Sequence, residues 1–79
     1  MQKKLDQMKV GETGLIRNVG GEGRLRRRIF DMGVTPGATI YLRKVAPLGD
    51  PIEVTIRGYE LSLRKAEANL VYVEVPERK

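Results

Sequence analysis

Turn-forming residues divide this sequence into short segments, and this division limits its fold more than any other feature. Nine glycines and four prolines are spread along 79 residues. Between them apolar residues recur at every second position, most clearly where Ile52, Val54 and Ile56 alternate with polar residues. Side chains alternate between the two faces of a β-strand, so this pattern is typical of short strands with one buried face. The sequence therefore favours a sheet of short strands.

Five segments are predicted to form strands. They cover residues 13–19, 38–45, 52–57, 61–63 and 71–75. The polar segment Met1 to Val10 carries Leu5 and Met8 at helical spacing. It is expected to form a short helical turn that places both side chains on the core. Residues 64–69 are expected to form a second helical turn.

The segment from Arg24 to Met32 predicts a helix. Leu25, Ile29 and Met32 fall on one of its faces, at positions i, i+4 and i+7, and Phe30 is expected in or beside the core. Gly33 follows, where helices commonly end in a left-handed residue. The Thr-Pro-Gly-Ala segment at residues 35–38 then predicts a type II turn, since Pro and Gly suit its two central positions.

The small size of the chain determines how these strands must be arranged. A folded chain of this mass hides only about 63% of the surface of its unfolded form, so its core must be compact. A short sheet with one polar face must curl to close such a core, and closure also protects the strand edges. We therefore expect residues 1–79 to form a single, mainly β domain with a short helix: a small five-stranded barrel whose helix covers one end.

Composition excludes most catalytic chemistry. The sequence contains neither cysteine nor histidine, so it offers no thiol nucleophile and no imidazole base. Glu53, Glu60 and Glu74 fall on outward strand positions and do not suggest a catalytic pair. The glycine-rich residues 20–23 lack the pattern of a phosphate-binding P-loop and are interpreted as a connection. We expect no enzymatic activity.

Metal binding is limited to carboxylate and backbone oxygen ligands. Transition metals prefer sites that include nitrogen or sulfur ligands, so we expect no resident cofactor and only weak binding of ferrous iron or another divalent ion. Asp50 beside Glu53, or Asp31 near Glu22, are the candidate ligand pairs.

The chain is basic, with a net charge of +5. Arg24, Arg26, Arg27 and Arg28 lie in the first half of the predicted helix. One interpretation is a solvated face in which Arg27 and Arg28 reach Asp31. The other is a surface that holds phosphate or an acidic patch of a protein.

The loop from Ala46 to Pro51 is the candidate docking element. Two prolines and a glycine in six residues make it stiff, and Leu48 stands among them without a periodic apolar neighbour. An apolar side chain on a rigid loop is suited to bind a partner protein. The alternative is that Leu48 folds back over the end of the barrel, and the sequence favours neither.

Three tyrosines suggest a further possibility. Tyr41, Tyr59 and Tyr72 occupy outward or turn positions in this interpretation. Exposed aromatic residues on a small basic barrel are typical of an oligonucleotide-binding surface, although three scattered rings are weak evidence.

Together these motifs resemble the ferrous iron transport protein A family, over about residues 5–75. Their order along the chain carries the resemblance: Leu5, Gly11, Arg28-Ile29, Met32-Gly33, Pro36-Gly37, Ala46-Pro47-Leu48-Gly49-Asp50-Pro51, Arg57-Gly58-Tyr59 and Leu61-Ser62-Leu63-Arg64. The Ala-Pro-Leu-Gly-Asp-Pro loop is the most specific part.

The resemblance implies an SH3-like barrel with an added helical segment. It also implies a cytoplasmic accessory protein of bacterial ferrous iron uptake, which reaches the inner membrane by contact with a transporter that carries a GTPase domain. An anionic membrane surface is a second expected contact, and no nucleic acid is expected. The alternatives are a metal-binding or metal-sensing module and a basic nucleic-acid-binding barrel. The candidate partner-binding residues are Arg28, Ile29, Met32, Leu48, Asp50 and Tyr59.

Overall fold

The computed structural model describes residues 1–76, which form strands and short helices. The strands are β1 (Gln2–Lys4), β2 (Thr13–Val19), β3 (Thr39–Val45), β4 (Ile52–Ile56), β5 (Tyr59–Leu63) and β6 (Val71–Glu74). The helices are α1 (Gly23–Asp31) and α2 (Lys65–Ala68), and Leu5–Gln7 forms a 3-10 turn. Neither α1 nor α2 is long and apolar enough to cross a membrane.

All six of these strands belong to one antiparallel sheet, in the order β1-β6-β2-β3-β4-β5. The predicted mainly β class is confirmed, but the sheet has a sixth strand, β1, that the sequence did not predict. Residues 2–4 are polar and show no alternation; they form a strand because they pair with β6, where Lys3 lies opposite Val73. The predicted helical turn follows β1, and it buries Leu5 and Met8.

The inner face of the curled sheet forms the core. Cross-strand pairs such as Ile40 with Ile56 and Ile16 with Val73 place apolar side chains on the same face. The buried apolar residues are Leu5, Met8, Ile16, Val19, Ile29, Val34, Ala38, Ile40, Leu42, Ile52, Val54, Ile56, Leu63, Ala68, Val71, Val73 and Val75.

Helix α1 contributes less to this core than its sequence pattern predicts. Ile29 is fully buried, but Leu25 is 37% exposed and Met32 is only half-buried. The helix also begins and ends one residue earlier than predicted. Val34, just after the helix, is fully buried as well. The contact with the barrel is therefore concentrated at the C-terminal part of α1, and its first turn lies beyond the core.

The partly buried carboxylate of Glu12 stabilises the segment between the 3-10 turn and β2. The Lys9 backbone N–H donates a hydrogen bond of 2.7 Å to Glu12 Oε1, and Lys3 Nζ lies 3.2 Å from the same oxygen. The Lys9 N–H is the largest cause that lowers the pKa of Glu12 below its ordinary value of 4.5, and the Lys3 ammonium group adds to it, while partial burial acts in the opposite direction. The folded protein thus favours the ionised form.

This contact makes part of the stability dependent on pH. Because the folded-state pKa of Glu12 is lowered, its contribution is complete above the unfolded value of 4.5 and is lost as pH falls through the folded value. We expect Glu12→Gln to lower the free energy of unfolding by about 1 kcal/mol at pH 7 and by less at pH 3. Urea denaturation at both pH values measures this. Asp31→Asn, at an exposed helix end, is the control, and an equal effect of Glu12→Gln at both pH values would contradict the assignment.

Candidate interaction surface

Leu48 lies at the tip of the loop from Ala46 to Pro51 and is 96% exposed. The Ala46 N–H donates to the Pro51 carbonyl oxygen (3.0 Å), and the Gly49 N–H donates to the Ala46 carbonyl oxygen (2.7 Å). These two bonds hold the loop in a closed shape. The alternative in which Leu48 folds back over the barrel is therefore wrong: the loop presents this side chain to solvent.

Asp50, at the base of this loop, connects it to helix α2. Its Oδ1 accepts a hydrogen bond of 2.9 Å from the backbone N–H of Lys65, the first residue of α2. An aspartate at the start of a helix satisfies an N–H group that lacks a partner within the helix. Asp50 thus holds the loop against α2, while its part in binding a partner stays a prediction.

Arg28 of α1 also contacts α2, through the side chain of Glu67. Its Nε lies 3.4 Å from Oε2 of Glu67, whose side chain is only 4% exposed. The other oxygen of Glu67 accepts the backbone N–H of Arg64 at 2.9 Å. The expected pairing of the helix arginines with Asp31 is wrong for Arg28, because the fold brings a more buried carboxylate within its reach.

Sequence reasoning missed Glu67, although a local signal for it exists. A glutamate at the third position of a helix often accepts the backbone N–H of the residue before that helix, as Glu67 does here. Helix α2 therefore contacts both of the predicted interaction surfaces, the loop at residues 46–51 and helix α1. Lys65 binds Asp50 of the loop, and Glu67 binds Arg28 of α1.

Tyr59 and Arg57, which we call the helix clamp, bind the end of α1. The Tyr59 hydroxyl donates to the Met32 carbonyl oxygen. Arg57 Nε donates to the Gly33 carbonyl oxygen (3.1 Å), and Arg57 Nη2 donates to Thr35 Oγ1 (2.6 Å). The bond to Met32 satisfies a terminal carbonyl group that a helix leaves without an internal partner, and the two Arg57 bonds hold the residues that follow α1.

Of the two positions expected for Tyr59, outward or in a turn, the structure supports the second: Tyr59 directly follows the turn at residues 57–58 and begins β5. It pairs with Ile56 and shares the inner face of β5 with Leu61 and Leu63. Tyr59 remains 42% exposed, while its hydroxyl binds the Met32 carbonyl oxygen. The structure therefore gives Tyr59 and the Met32 backbone a structural role, and it places Ile29 in the core.

The other two tyrosines do not share a platform with Tyr59. Tyr41 and Tyr72 lie on the outer face and pair with Thr13 and Asn18 of β2. Five residues of a strand separate these partners, a distance of about 16 Å. Successive bases of one short oligonucleotide could not stack on rings so far apart.

The remaining arginines of α1 line a shallow groove of about 470 Å³ with Gly23 and Phe30. The guanidinium carbon of Arg26 lies 4.4 Å from the centre of the Phe30 ring, and its Nε donates to the Val19 carbonyl oxygen at 3.1 Å. Within residues 1–76, no carboxylate lies within 4 Å of the charged groups of Arg24, Arg26 or Arg27.

The candidate metal ligands are not gathered into a site. No three carboxylates within residues 1–76 are grouped closely enough to hold an ion. Asp50 binds the Lys65 N–H, and Glu53 pairs with Arg43. Glu22 precedes α1 and Asp31 is its last residue, so these two lie about 13 Å apart along the helix axis. Whether the chain binds a metal stays a prediction.

A small curled antiparallel sheet of this kind, with its helix over one end, is an SH3-like barrel domain. A FeoA domain model matches residues 3–75. The chain is 38% identical over 72 residues to an Fe(2+) transport protein A/Fe(2+) transporter FeoB fusion protein of Porphyromonas gingivalis. That match covers 91% of this chain but only 8% of the relative. The chain belongs to the FeoA domain family.

One solved structure agrees with this assignment, and a second shares the fold. A FeoA-like protein from Clostridium acetobutylicum is 38% identical, with a TM-score of 0.90 over 99% of this chain and 91% of its own. A FeoA from Stenotrophomonas maltophilia, solved with zinc and described as a prokaryotic SH3 domain protein, has a TM-score of 0.78. It is 21% identical, with 91% of this chain and 89% of that one covered, so it shows the shared fold alone.

Proposed function

We propose that this chain is an accessory protein of ferrous iron uptake that acts by binding an iron transporter through the loop that carries Leu48. The fusion protein of Porphyromonas gingivalis supports the choice of partner, because it joins a FeoA part and a transporter in one chain. Covalent linkage keeps two parts at a high local concentration, which is an advantage for parts that bind each other.

The exposure of Leu48 is the observation that carries this proposal. Burial of a leucine side chain contributes about 1.5–3 kcal/mol, which corresponds to a roughly 10- to 150-fold change in affinity. The loop bonds and the contact between Asp50 and Lys65 hold the loop in one shape before a partner arrives. Binding then requires little additional ordering of the loop.

The family resemblance suggests which part of the transporter is bound. It implies a cytoplasmic GTPase domain, and we propose that this domain accepts the side chain of Leu48 in an apolar pocket. In this arrangement α2 holds the binding loop in position through Asp50, and it also binds Arg28 of α1.

An NMR titration of the labelled chain with the transporter's GTPase domain tests the proposal. We expect the largest amide shifts in the loop at residues 46–51 and in α2. Leu48→Asp should weaken binding at least tenfold without lowering the melting temperature, since the side chain packs against nothing. Val10→Asp, at another exposed apolar residue, is the matched control and should bind normally.

Three results would contradict the proposal. The first is unchanged affinity of Leu48→Asp. The second is the absence of binding both to the GTPase domain and to the complete transporter reconstituted in nanodiscs. Shifts confined to the outer face of the sheet would likewise assign the interface elsewhere.

A further inference from the structure

We propose that the arginine face of α1, formed by Arg24, Arg26 and Arg27 with Phe30, binds the phosphate groups of anionic phospholipids. The choice of a membrane among phosphate-bearing partners rests on the proposed function, since a protein bound to a transporter lies within reach of the bilayer. The cationic surface itself is a property of this chain.

Charge segregation is the first support. Three guanidinium groups stand within four consecutive residues, and no described carboxylate lies within 4 Å of any of them. Arg28 is not part of this face, because Glu67 balances its charge. Other cations are paired as well: Lys3 with Glu12, and Arg43 with both Glu53 and Glu60. Six other described basic residues also lack an ion pair within 4 Å: Lys4, Lys9, Arg17, Arg57, Arg64 and Lys65. They are spread along the chain, whereas α1 carries three unpaired arginines within four consecutive residues.

The geometry of the groove is the second support. Gly23, Arg26, Arg27 and Phe30 follow one another at i, i+3, i+4 and i+7, so they lie along one side of the helix. Gly23 has no side chain, which leaves a groove of about 470 Å³ beside the two arginines. Guanidinium groups bind phosphate oxygens in a bidentate manner.

Part of this face is held in place before binding. The Arg26 side chain rests over the Phe30 ring and donates to the Val19 carbonyl oxygen. Arg24 projects from the helix about 160° away from Arg26, as the turn of an α-helix requires. A single small anion could not contact all three guanidinium groups, whereas a layer of headgroups offers many phosphates at once. A layer that offers several phosphates therefore fits these three side chains better than an isolated phosphate does.

Vesicle co-sedimentation of the full chain tests the inference. We expect binding to phosphatidylcholine vesicles that contain 30 mol% phosphatidylglycerol, no binding to pure phosphatidylcholine, and a steep decrease with salt. Each basic residue near an anionic surface contributes about fivefold. The double variant Arg24→Gln/Arg27→Gln should therefore bind about 25-fold more weakly. Its melting temperature, expected to be unchanged, shows that the fold is intact.

A second double variant separates this surface from net charge. Lys9→Gln/Arg64→Gln also removes two positive charges, from exposed side chains that likewise form no ion pair within 4 Å. We expect it to bind vesicles with less than a threefold loss. Equal losses in the two double variants would overturn the proposal, because they would show attraction by net charge alone. No binding to the phosphatidylglycerol vesicles would overturn it too.

Two further arms identify the source of the anion. If Arg24→Gln/Arg27→Gln weakens the binding of inorganic pyrophosphate to the chain but leaves vesicle binding unchanged, the ligand is a free phosphate and the lipid proposal fails. If Arg24→Gln/Arg27→Gln weakens binding to the GTPase domain but not to vesicles, the face belongs to a protein interface. Leu48→Asp should bind vesicles normally, so failure of the transporter proposal and failure of this one are distinguishable.

Discussion

Replacement of Gly33 by alanine is expected to lower the free energy of unfolding by about 2–4 kcal/mol. Gly33 has a φ of +91°, where an L residue is strained by about 1–2 kcal/mol. A Cβ atom there would also collide with the Tyr59 hydroxyl. That hydroxyl would have to leave the Met32 carbonyl oxygen, at a loss of about 1 kcal/mol. A domain of this size has a total stability of only about 4–12 kcal/mol, so the effect is large.

The neighbouring turn provides a matched control for this prediction. Gly37 has nearly the same φ, +93°, but a Cβ atom there would meet no other atom within 4 Å. Gly37→Ala should therefore show the backbone strain alone, about 1–2 kcal/mol. Urea denaturation of both variants measures the difference. If they are equally unstable, the collision with the Tyr59 hydroxyl does not contribute.

A second substitution tests whether the Tyr59 hydroxyl causes the additional loss of stability in Gly33→Ala. Tyr59→Phe removes the hydroxyl, and alone it should lose only the hydrogen bond to Met32, about 1 kcal/mol. In the Gly33→Ala background the same change should be nearly neutral, because the colliding atom has gone. This non-additivity is expected only if the two residues act through that contact.

Ile29→Ala is the second substitution with a large expected effect, a loss of about 2–5 kcal/mol in the free energy of unfolding. Ile29 is fully buried and is the one completely buried residue of α1. The shortened side chain would leave a cavity between the helix and the barrel, since a packed core relaxes only partly. Thermal or urea denaturation measures the loss.

Leu25→Ala is the matched control on the same helix. The sequence pattern places Leu25 and Ile29 on one face, but Leu25 is 37% exposed. We expect its replacement to cost less than about 1 kcal/mol, since much of the side chain already contacts water. Similar losses for the two variants would mean that α1 packs along its whole length, contrary to the structure.

The glycine and α1 substitutions show which features the local sequence pattern predicts correctly and which it does not. Helical spacing correctly predicts α1 and the burial of Ile29, and the Pro36-Gly37 pair correctly predicts a turn with positive φ at Gly37. Helical spacing alone predicts that Leu25 is as buried as Ile29. It describes only the helix and contains no information about the barrel surface that the helix contacts. Which turns of the helix meet the barrel depends on where the barrel ends.

In the candidate interaction surface, too, the sequence predicts some features and only the fold decides the others. The stiffness of the loop around Leu48 follows from its prolines and glycine, but its two possible orientations differ only in contacts with distant residues. The pairing of Arg28 with Glu67 and the bond from Tyr59 to Met32 join residues far apart in sequence. Neither residue of such a pair carries a local sign of its partner, so both pairs were missed.

The sequence by itself determined the strand and turn pattern, the absence of histidine and cysteine chemistry, and the excess of positive charge. These follow from side-chain identity and from preferences that act over a few residues. Only the tertiary structure decided that residues 2–4 pair with β6, that Leu48 faces solvent, and that α2 supports both the loop and α1. The physical reason is that these features are contacts between distant segments, whose free energy arises only once the barrel has closed.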